Sequence, residues 1–430
     1  MQGAPVRLPD MRCVEQTFRQ PQIDDPAPIA RAATLSLAAG AVKPGDRIAV
    51  PVGSRGISHI AGFVKAVVHA LRDLCAQPFI IPAMGSHGGG TAEGQARVLE
   101  TLGITEQTTG APVVSSMEVM PLGSTPEGIP VVIDANAART DHVLLINRVK
   151  PHTEFGGRYQ SGLAKMLLIG LGKHQGAIRY HQAAVEMPFE TLVFSAAQVV
   201  LERLPVLGGL AVLENAHGQV AEVVAVQADN LLRDEPALLA RATEYMATIP
   251  FDNIDLLIVD ELGKDISGSG MDTNVIRRKH WADTRIGEIV ERPAPRRVFV
   301  RDLTEATEGN AAGIGLADFA LTRVVNKVDW RKTRVNAITA TRPRGAMVPV
   351  LCENDAEAIE ASLASAGVGD TVAARIIRIR NTACLNHMHV SDTLLPHAHA
   401  EASLTYGEEP FALAFDEDGM LVPDKLPRGS

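Results

Sequence analysis

The stretch Asp46–Met84, DRIAVPVGSRGISHIAGFVKAVVHALRDLCAQPFIIPAM, decides the fold. Asp46–Val52 is a short apolar run and reads as a strand. Ser58–Leu74 carries apolar residues at helical spacing and reads as a helix. Pro78–Met84 is a second strand, followed by the turn GSHGGG (Gly85–Gly90) and a helix near Ala92–Leu102. Strands alternating with helices mark α/β architecture. The alternation continues outward, with Asp141–Val149 (DHVLLINRV) as strand, Phe189–Leu204 as a long helix and Gly209–Leu213 as strand. A break near Thr248–Asn253 precedes the strand Ile254–Val259 and a second α/β series. That series reads as strand Arg297–Arg301, helix Leu316–Val328, strand Met347–Leu351 and helix Asp355–Ala366. The expected organisation is two α/β domains, 1–250 and 251–395, with a tail 396–430 that returns to the N-terminal one.

Composition excludes several function classes. The chain has 430 residues, 41 Lys+Arg against 50 Asp+Glu, and a formal net charge of −9. An acidic balance argues against a general nucleic-acid or anionic-membrane binder, which needs a basic surface. Aromatics are 4%, too few for a base-stacking platform. Hydrophobic residues at 46% suffice for the large cores of two or three domains. Cys13, Cys75, Cys352 and Cys384 are far apart and form no C-x-x-C, so neither a disulfide framework nor a thiolate zinc site is expected. The N-terminus has no apolar core of a secretory signal, and no run of about 18 apolar residues occurs. The expectation is a soluble cytoplasmic protein.

In open parallel sheets, ligands bind at the carboxyl ends of the strands. Four glycine-bearing loops follow strands: VGSRG (Val52–Gly56), GSHGGG (Gly85–Gly90), KPHTEFGGRYQSG (Lys150–Gly162) and GKDISGSGMD (Gly263–Asp272). Glycine lets backbone N–H groups approach a ligand, and each loop adds a cation or imidazole. His87 stands among glycines with little around it to pack on. His152 follows Lys150–Pro151, and the proline presents it at a defined point on the rim. Lys165 lies in the apolar run SGLAKMLLIGLG, where an ammonium is out of place unless it is paired or deprotonated. A desolvated lysine is a nucleophile suited to covalent attachment. Lys173 is the competing candidate, and a lysine that snorkels to solvent is the plain alternative.

His174 and His181 are two helical turns apart and can share a face, and imidazole is a natural metal ligand. Arg55 after the first strand can clamp a carboxylate. Asp272, Asn274, Arg277 and Arg278 form a polar run that serves either anion contacts or a solvated helix start. In the tail, HMH (His387, His389) and HAH (His397, His399) have strand spacing for a metal, and solvent-exposed histidines are the favoured reading.

Taken together these loops resemble the nickel-dependent lactate racemase family, the nickel-pincer nucleotide enzymes. The resemblance is strongest in Asn147–Ala177 (NRVKPHTEFGGRYQSGLAKMLLIGLGKHQGA) and extends to GSHGGG, GKDISGSGMDTN and GNAAGIGLADF (Gly309–Phe319). It implies a two-domain α/β fold with an interdomain active-site cleft. It implies pyridinium-3,5-bisthiocarboxylic acid mononucleotide nickel as cofactor, tethered at Lys165 with His181 as metal ligand. By the same resemblance His87 and His152 are the acid/base pair and Arg55 orients the substrate carboxylate. Gly88, Gly89, Ser161, Asp272 and Asn274 are the expected cofactor contacts. Partners implied are a small hydroxy acid and cofactor biosynthesis proteins, with no nucleic acid and no membrane.

Departures from the family pattern bear on the substrate. Gly88 stands where the family has an arginine, and the His152–Lys165 stretch is a few residues longer. The family's second-domain Gln-x-x-Lys element is not obvious, with Arg277, Arg278 or Lys279 as substitutes. A substrate other than lactate is expected, and a racemase or epimerase of a 2-hydroxy acid or sugar acid is the leading reading. Two alternatives accompany it: a zinc hydrolase built on His152, His174, His181 and Glu154, and a non-catalytic metabolite-binding relative.

Overall fold

Residues 7–18, 20–54, 56–279, 293–400 and 402–427 are described by a computed structural model. Arg55, expected to clamp a carboxylate, lies outside them. The chain divides into two units, Gln20–Met246 and Met1–Arg19 with Ala247–Ser430. Both are α/β.

In the Gln20–Met246 unit, Arg47–Val52, Gln77–Pro82, His142–Arg148 and Val206–Glu214 run parallel. Val220–Gln227 closes the sheet antiparallel beside Val206–Glu214. The spatial order is Gln77–Pro82, Arg47–Val52, His142–Arg148, Val206–Glu214, Val220–Gln227. The strands are apolar on both sides because helices cover both faces. Ile48, Val50 and Val52 enter one core with the Ile60–Asp73 helix residues Phe63, Val64 and Val67. Ala49, Val143 and Leu145 enter the other, with Leu163, Leu167, Leu168 and the Phe189–Arg203 helix. Lys165 therefore sits in a segment that is itself a layer of the core.

The other unit holds an eight-stranded sheet. Val350–Cys352, Phe319–Leu321, Arg297–Val300, Leu256–Val259 and Ile376–Asn381 run parallel in that order. Cys384–Ser391, Met11–Thr17 and Ser403–Tyr406 extend it antiparallel.

Two expectations are corrected by these sheets. The tail does not return to the N-terminal domain: Ser403–Tyr406 pairs with Met11–Thr17, and Asp424 pairs with the buried Arg301 at 3.3 Å. It is the N-terminal strand that crosses over, because the Cys384–Ser391 edge offers it a full ladder. The expected helix Leu316–Val328 is interrupted by a strand. Phe319–Leu321 is a buried strand paired on both sides, and only Thr322–Asn326 is helical. A short apolar run does not distinguish strand from helix by periodicity, and its neighbours in the sheet decide.

Candidate functional site

Three adjacent parallel strands, Gln77–Pro82, Arg47–Val52 and His142–Arg148, end on the same side of their sheet. They feed three of the four glycine-bearing loops. Ser54 Oγ lies 2.5 Å from His87 Nδ1, which joins the first loop to the second. When the hydroxyl accepts from Nδ1–H, His87 keeps Nε2 as its basic nitrogen. The His87 side chain is exposed, as expected for a histidine among glycines.

The loop around His87 is held from below. Gln95, fully buried on the Ala92–Thr101 helix, donates its amide to the carbonyls of Gly85 at 2.8 Å and His87 at 3.3 Å. Gly88 has φ 64° and leaves no room for a Cβ, which would stand 2.7 Å from Gln95 N. Gly88 thus serves close packing on the helix, while a Cβ on Gly89 would meet nothing. Gln95 escaped sequence reading, since its one signal was an amide at a buried helical position. Gln95→Leu should cost about 1–3 kcal/mol by stranding the loop carbonyls. Urea unfolding of the variant checks this, and an unchanged midpoint would contradict it.

The third loop is closed at its base by Lys150 and Ser161, whose backbones bond mutually at 2.9 and 3.2 Å. Ser161, an expected cofactor contact, is thus fixed through its main chain. Within the loop, His152 N donates to Gln160 Oε1 at 2.7 Å. His152 Nδ1 accepts from the amides of Glu154 at 3.0 Å and Phe155 at 3.2 Å. A neutral ring that accepts at Nδ1 carries its proton on Nε2. His152 is therefore presented as a donor at Nε2.

Phe155 and Phe189 stack at 3.9 Å between centroids and form the wall on which the other groups meet. His152 lies 4.9 Å from Phe155 and 6.2 Å from Phe189. The His181 ring stacks on Phe155 at 6.2 Å, and Lys165 Nζ lies 5.9 Å from the Phe189 centroid. His152, Lys165 and His181 are thus brought together around one aromatic pair. The two phenylalanines were not among the expected site residues.

Lys165 ends the helical turn Leu163–Lys165 and is followed by a π-helical turn, Met166–Gly170. Such single π turns are rare and frequent at functional sites. Within Gly162–Leu171 only Lys165 and Ile169 are not buried. They are four residues apart and emerge on the same side. A Cβ on Gly85 would stand 3.2 Å from Ile169 Cγ2, so that side faces the His87 loop. The Lys173–Ala183 helix also touches this loop, because a Cβ on Gly90 would stand 2.6 Å from His174 Nδ1.

Lys173 drops out as the competing nucleophile. It is fully buried, pairs with Asp134 at 2.8 Å and donates to the Pro82 carbonyl. Burial pushes its pKa down against the opposing pull of Asp134. Lys173→Met strands the buried carboxylate, and removing one partner of a buried pair typically costs about 3–5 kcal/mol. Thermal unfolding should fall accordingly, and an unshifted transition would contradict the assignment.

In the other unit, Asp272 Oδ1 accepts from Asn274 N at 3.0 Å and from Asn274 Nδ2 at 3.1 Å, while Asp272 N donates to Thr382. These contacts give both residues a local turn-forming task. Arg277 binds Asp252 and the carbonyls of Ile249 and Phe251, and Arg278 binds Asp318 and three carbonyls. Their guanidiniums brace this unit's own loops. His387 and His389 lie on Cys384–Ser391, opposite Glu15 and Cys13. Burial pushes His389 down to about 4, with its ring edge-on to Phe411 at 4.7 Å. His399 pairs with Asp252 at 3.1 Å. Among the described residues no group of three or more His, Cys, Asp or Glu could hold a metal ion. His174 packs against Gly90, and the His181 ring packs against Phe155. No helix among the described residues is long and apolar enough to cross a membrane.

A family model described as the lactate racemase N-terminal domain matches residues 35–191. No curated protein matches the chain. Among solved structures the chain is similar to the lactate racemase apoprotein from Thermoanaerobacterium thermosaccharolyticum, at 13% identity and a TM-score of 0.53. That likeness covers 87% of this chain and 98% of that one, and at this identity it speaks for the fold. A Thermotoga maritima protein is similar at 14% identity, TM-score 0.48, over 75% of this chain and 83% of that one. The segment 35–191, which is similar to the lactate racemase N-terminal domain, holds Ser54, His87, His152, Lys165 and His181.

Proposed function

We propose that the chain is a racemase or epimerase of a 2-hydroxy acid or sugar acid, acting by proton-coupled hydride transfer with a lysine-tethered nickel-pincer nucleotide. The observation that carries this reading is the convergence of Lys165, His181 and His152 on the Phe155–Phe189 pair. A planar aromatic group with one covalent anchor and one metal ligand needs an amine and an imidazole along one flat apolar wall. The residues present fit that need. A single imidazole suffices as the protein ligand, so no larger metal-binding group is required of the described residues. Lys165 would hold the group by its amine and His181 would hold its nickel.

When bound, the cofactor supplies an electrophilic carbon that takes the substrate's α-hydride. The chain's own residues manage the rest. The α C–H of a hydroxy acid is too weakly acidic for an imidazole to ionise directly. A base must therefore take the hydroxyl proton as the hydride leaves. Histidine titrates near neutral pH and can both take and return that proton. Racemisation needs one such group for each bound orientation, a task that falls to His87 and His152. Their nitrogens start differently, because His152 presents Nε2–H while Ser54 at Nδ1 of His87 can leave Nε2 as the base. Arg55 would hold the carboxylate so that the transient oxo acid stays in place until hydride returns.

The test is a panel of single-enantiomer hydroxy acids supplied to protein matured with nickel and the cofactor-making enzymes, scored for loss of optical purity. Intact mass is read in parallel. Racemisation together with an adduct mapped to Lys165 supports the reading. Full activity without any adduct would overturn it, and so would an adduct-bearing protein that only binds and never turns over.

A further inference from the structure

We infer that Glu235 is the positioning residue for Lys165: its buried carboxylate anchors the turn that presents the amine. Glu235 lies on the Leu231–Glu244 helix and is 1% exposed. Its Oε2 accepts from Ala164 N at 2.9 Å, and its carboxylate also bonds the amide of Leu163. These are the first two amides of the Leu163–Lys165 turn, whose N-cap, Gly162, supplies no side-chain cap. The turn runs straight on into the Met166–Gly170 π turn, and its leading amides have no acceptor within that helical stretch. Glu235 supplies an acceptor at the turn's amino end from 71 residues away.

Gly162 reports how closely the carboxylate is seated. A Cβ there would stand 2.3 Å from Glu235 Oε1. Its φ is −177°, extended backbone that any residue adopts, so space and not conformation requires the glycine. Asn147 holds the same point from the sheet, donating to the Gly162 carbonyl at 2.6 Å. Among the described residues Glu235 Oε1 is buried with no hydrogen-bond partner. A helix built only for packing would place an apolar side chain at this position, since a half-satisfied buried carboxylate destabilises the fold.

Burial outweighs the two amide bonds and pushes the Glu235 pKa up to about 7. In the unfolded chain the group titrates near its ordinary value of 4.5. Between these values the folded protein holds a proton that the unfolded chain has lost, so stability falls as pH rises through this window. The titratable group it acts on is Tyr159, whose pKa is raised mainly by burial, with Arg158 and Glu190 acting on the same phenol. Glu235→Gln removes the dependence. The variant should gain on the wild type by about 2–4 °C or more in melting temperature between pH 5 and pH 8.

The inference rests on the proposed function only for what the amine does. The decisive experiment uses the full chain without cofactor. Lys165 is labelled competitively with acetic anhydride and read by peptide mass spectrometry against the exposed Lys43 and Lys65. Exchange of the Leu163 and Ala164 amides is followed in parallel. Gly162→Ala, which drives the carboxylate off its seat, should change relative labelling of Lys165 at least fivefold and speed amide exchange at least tenfold. Glu235→Gln keeps a carbonyl acceptor and should stay within twofold in labelling. If exchange accelerates while Lys165 labelling holds within twofold, Glu235 serves only the fold and the inference is overturned. Should Gly162→Ala fail to fold, Glu235→Asp shortens the reach by one methylene without adding bulk, and the same thresholds decide. A labelling response in a protein that never acquires the Lys165 adduct would sink the proposed function and leave this inference standing.

Discussion

Lys165→Arg is expected to abolish turnover. The substitution keeps a positive charge above the Phe189 ring, so packing and electrostatics change little. It removes the one feature the proposal requires, an amine that can lose its proton and form an amide-type bond, because guanidinium stays protonated in proteins. Covalent attachment fixes the reactive ring relative to the acid/base groups. Effective molarities of about 10⁵ M and above in well-oriented systems set the scale of what is lost. Activity should fall to background, below about one part in 10⁴, with the adduct mass gone and thermal unfolding close to wild type. Lys173→Met makes the opposite pair of predictions, a large stability loss with the adduct retained in whatever folds. An active Lys165→Arg protein carrying an adduct elsewhere would refute the assignment.

Removal of the imidazoles should have the next largest effect. His87→Ala and His152→Ala are each expected to reduce kcat by about 10²–10⁴, the usual worth of a positioned acid/base group. Since a racemase has an equilibrium constant of one, each variant loses kcat/KM equally in both directions. Steady-state rates therefore cannot tell the two residues apart. Rapid-quench single turnover can, by scoring oxo acid formed from each enantiomer. The His87 variant should fail to oxidise one enantiomer and the His152 variant the other. Equal impairment with both enantiomers, in both variants, would show that the two rings do not divide the work. His152 carries an added constraint. A base at Nε2 must first shed its proton there, and moving that proton to Nδ1 sets it against the amides of Glu154 and Phe155. The oxidation that depends on His152 should accordingly be the slower one, read as the smaller of the two wild-type single-turnover rates.

Local sequence determined a good part of this protein. The alternation in Asp46–Met84 and Asp141–Val149 marked strands and helices, because a strand buried on both faces must be apolar throughout and a covering helix must be apolar at its own period. The glycine and histidine loops at the strand ends were legible for the same reason, since glycines mark where backbone must turn or come close. The proline before His152 and the solitary lysine in SGLAKMLLIGLG were local anomalies, and His152 and Lys165 both fall beside the aromatic wall. Tertiary structure decided what depends on partners far apart in the chain. Phe189 meets Phe155 across 34 residues, Glu235 reaches Ala164 across 71, and Gln95 looks like any polar residue on a helix until the loop it supports is in place. Lys165 is the leading nucleophile by sequence and Lys173 its competitor, and the Asp134 carboxylate beneath one and the aromatic ring beside the other separate them in the structure. The strand Phe319–Leu321 and the crossing of Met11–Thr17 into the unit built from Ala247–Ser430 follow the same rule, because strand pairing is satisfied by whichever edge the fold brings near, and no period in the sequence records that choice.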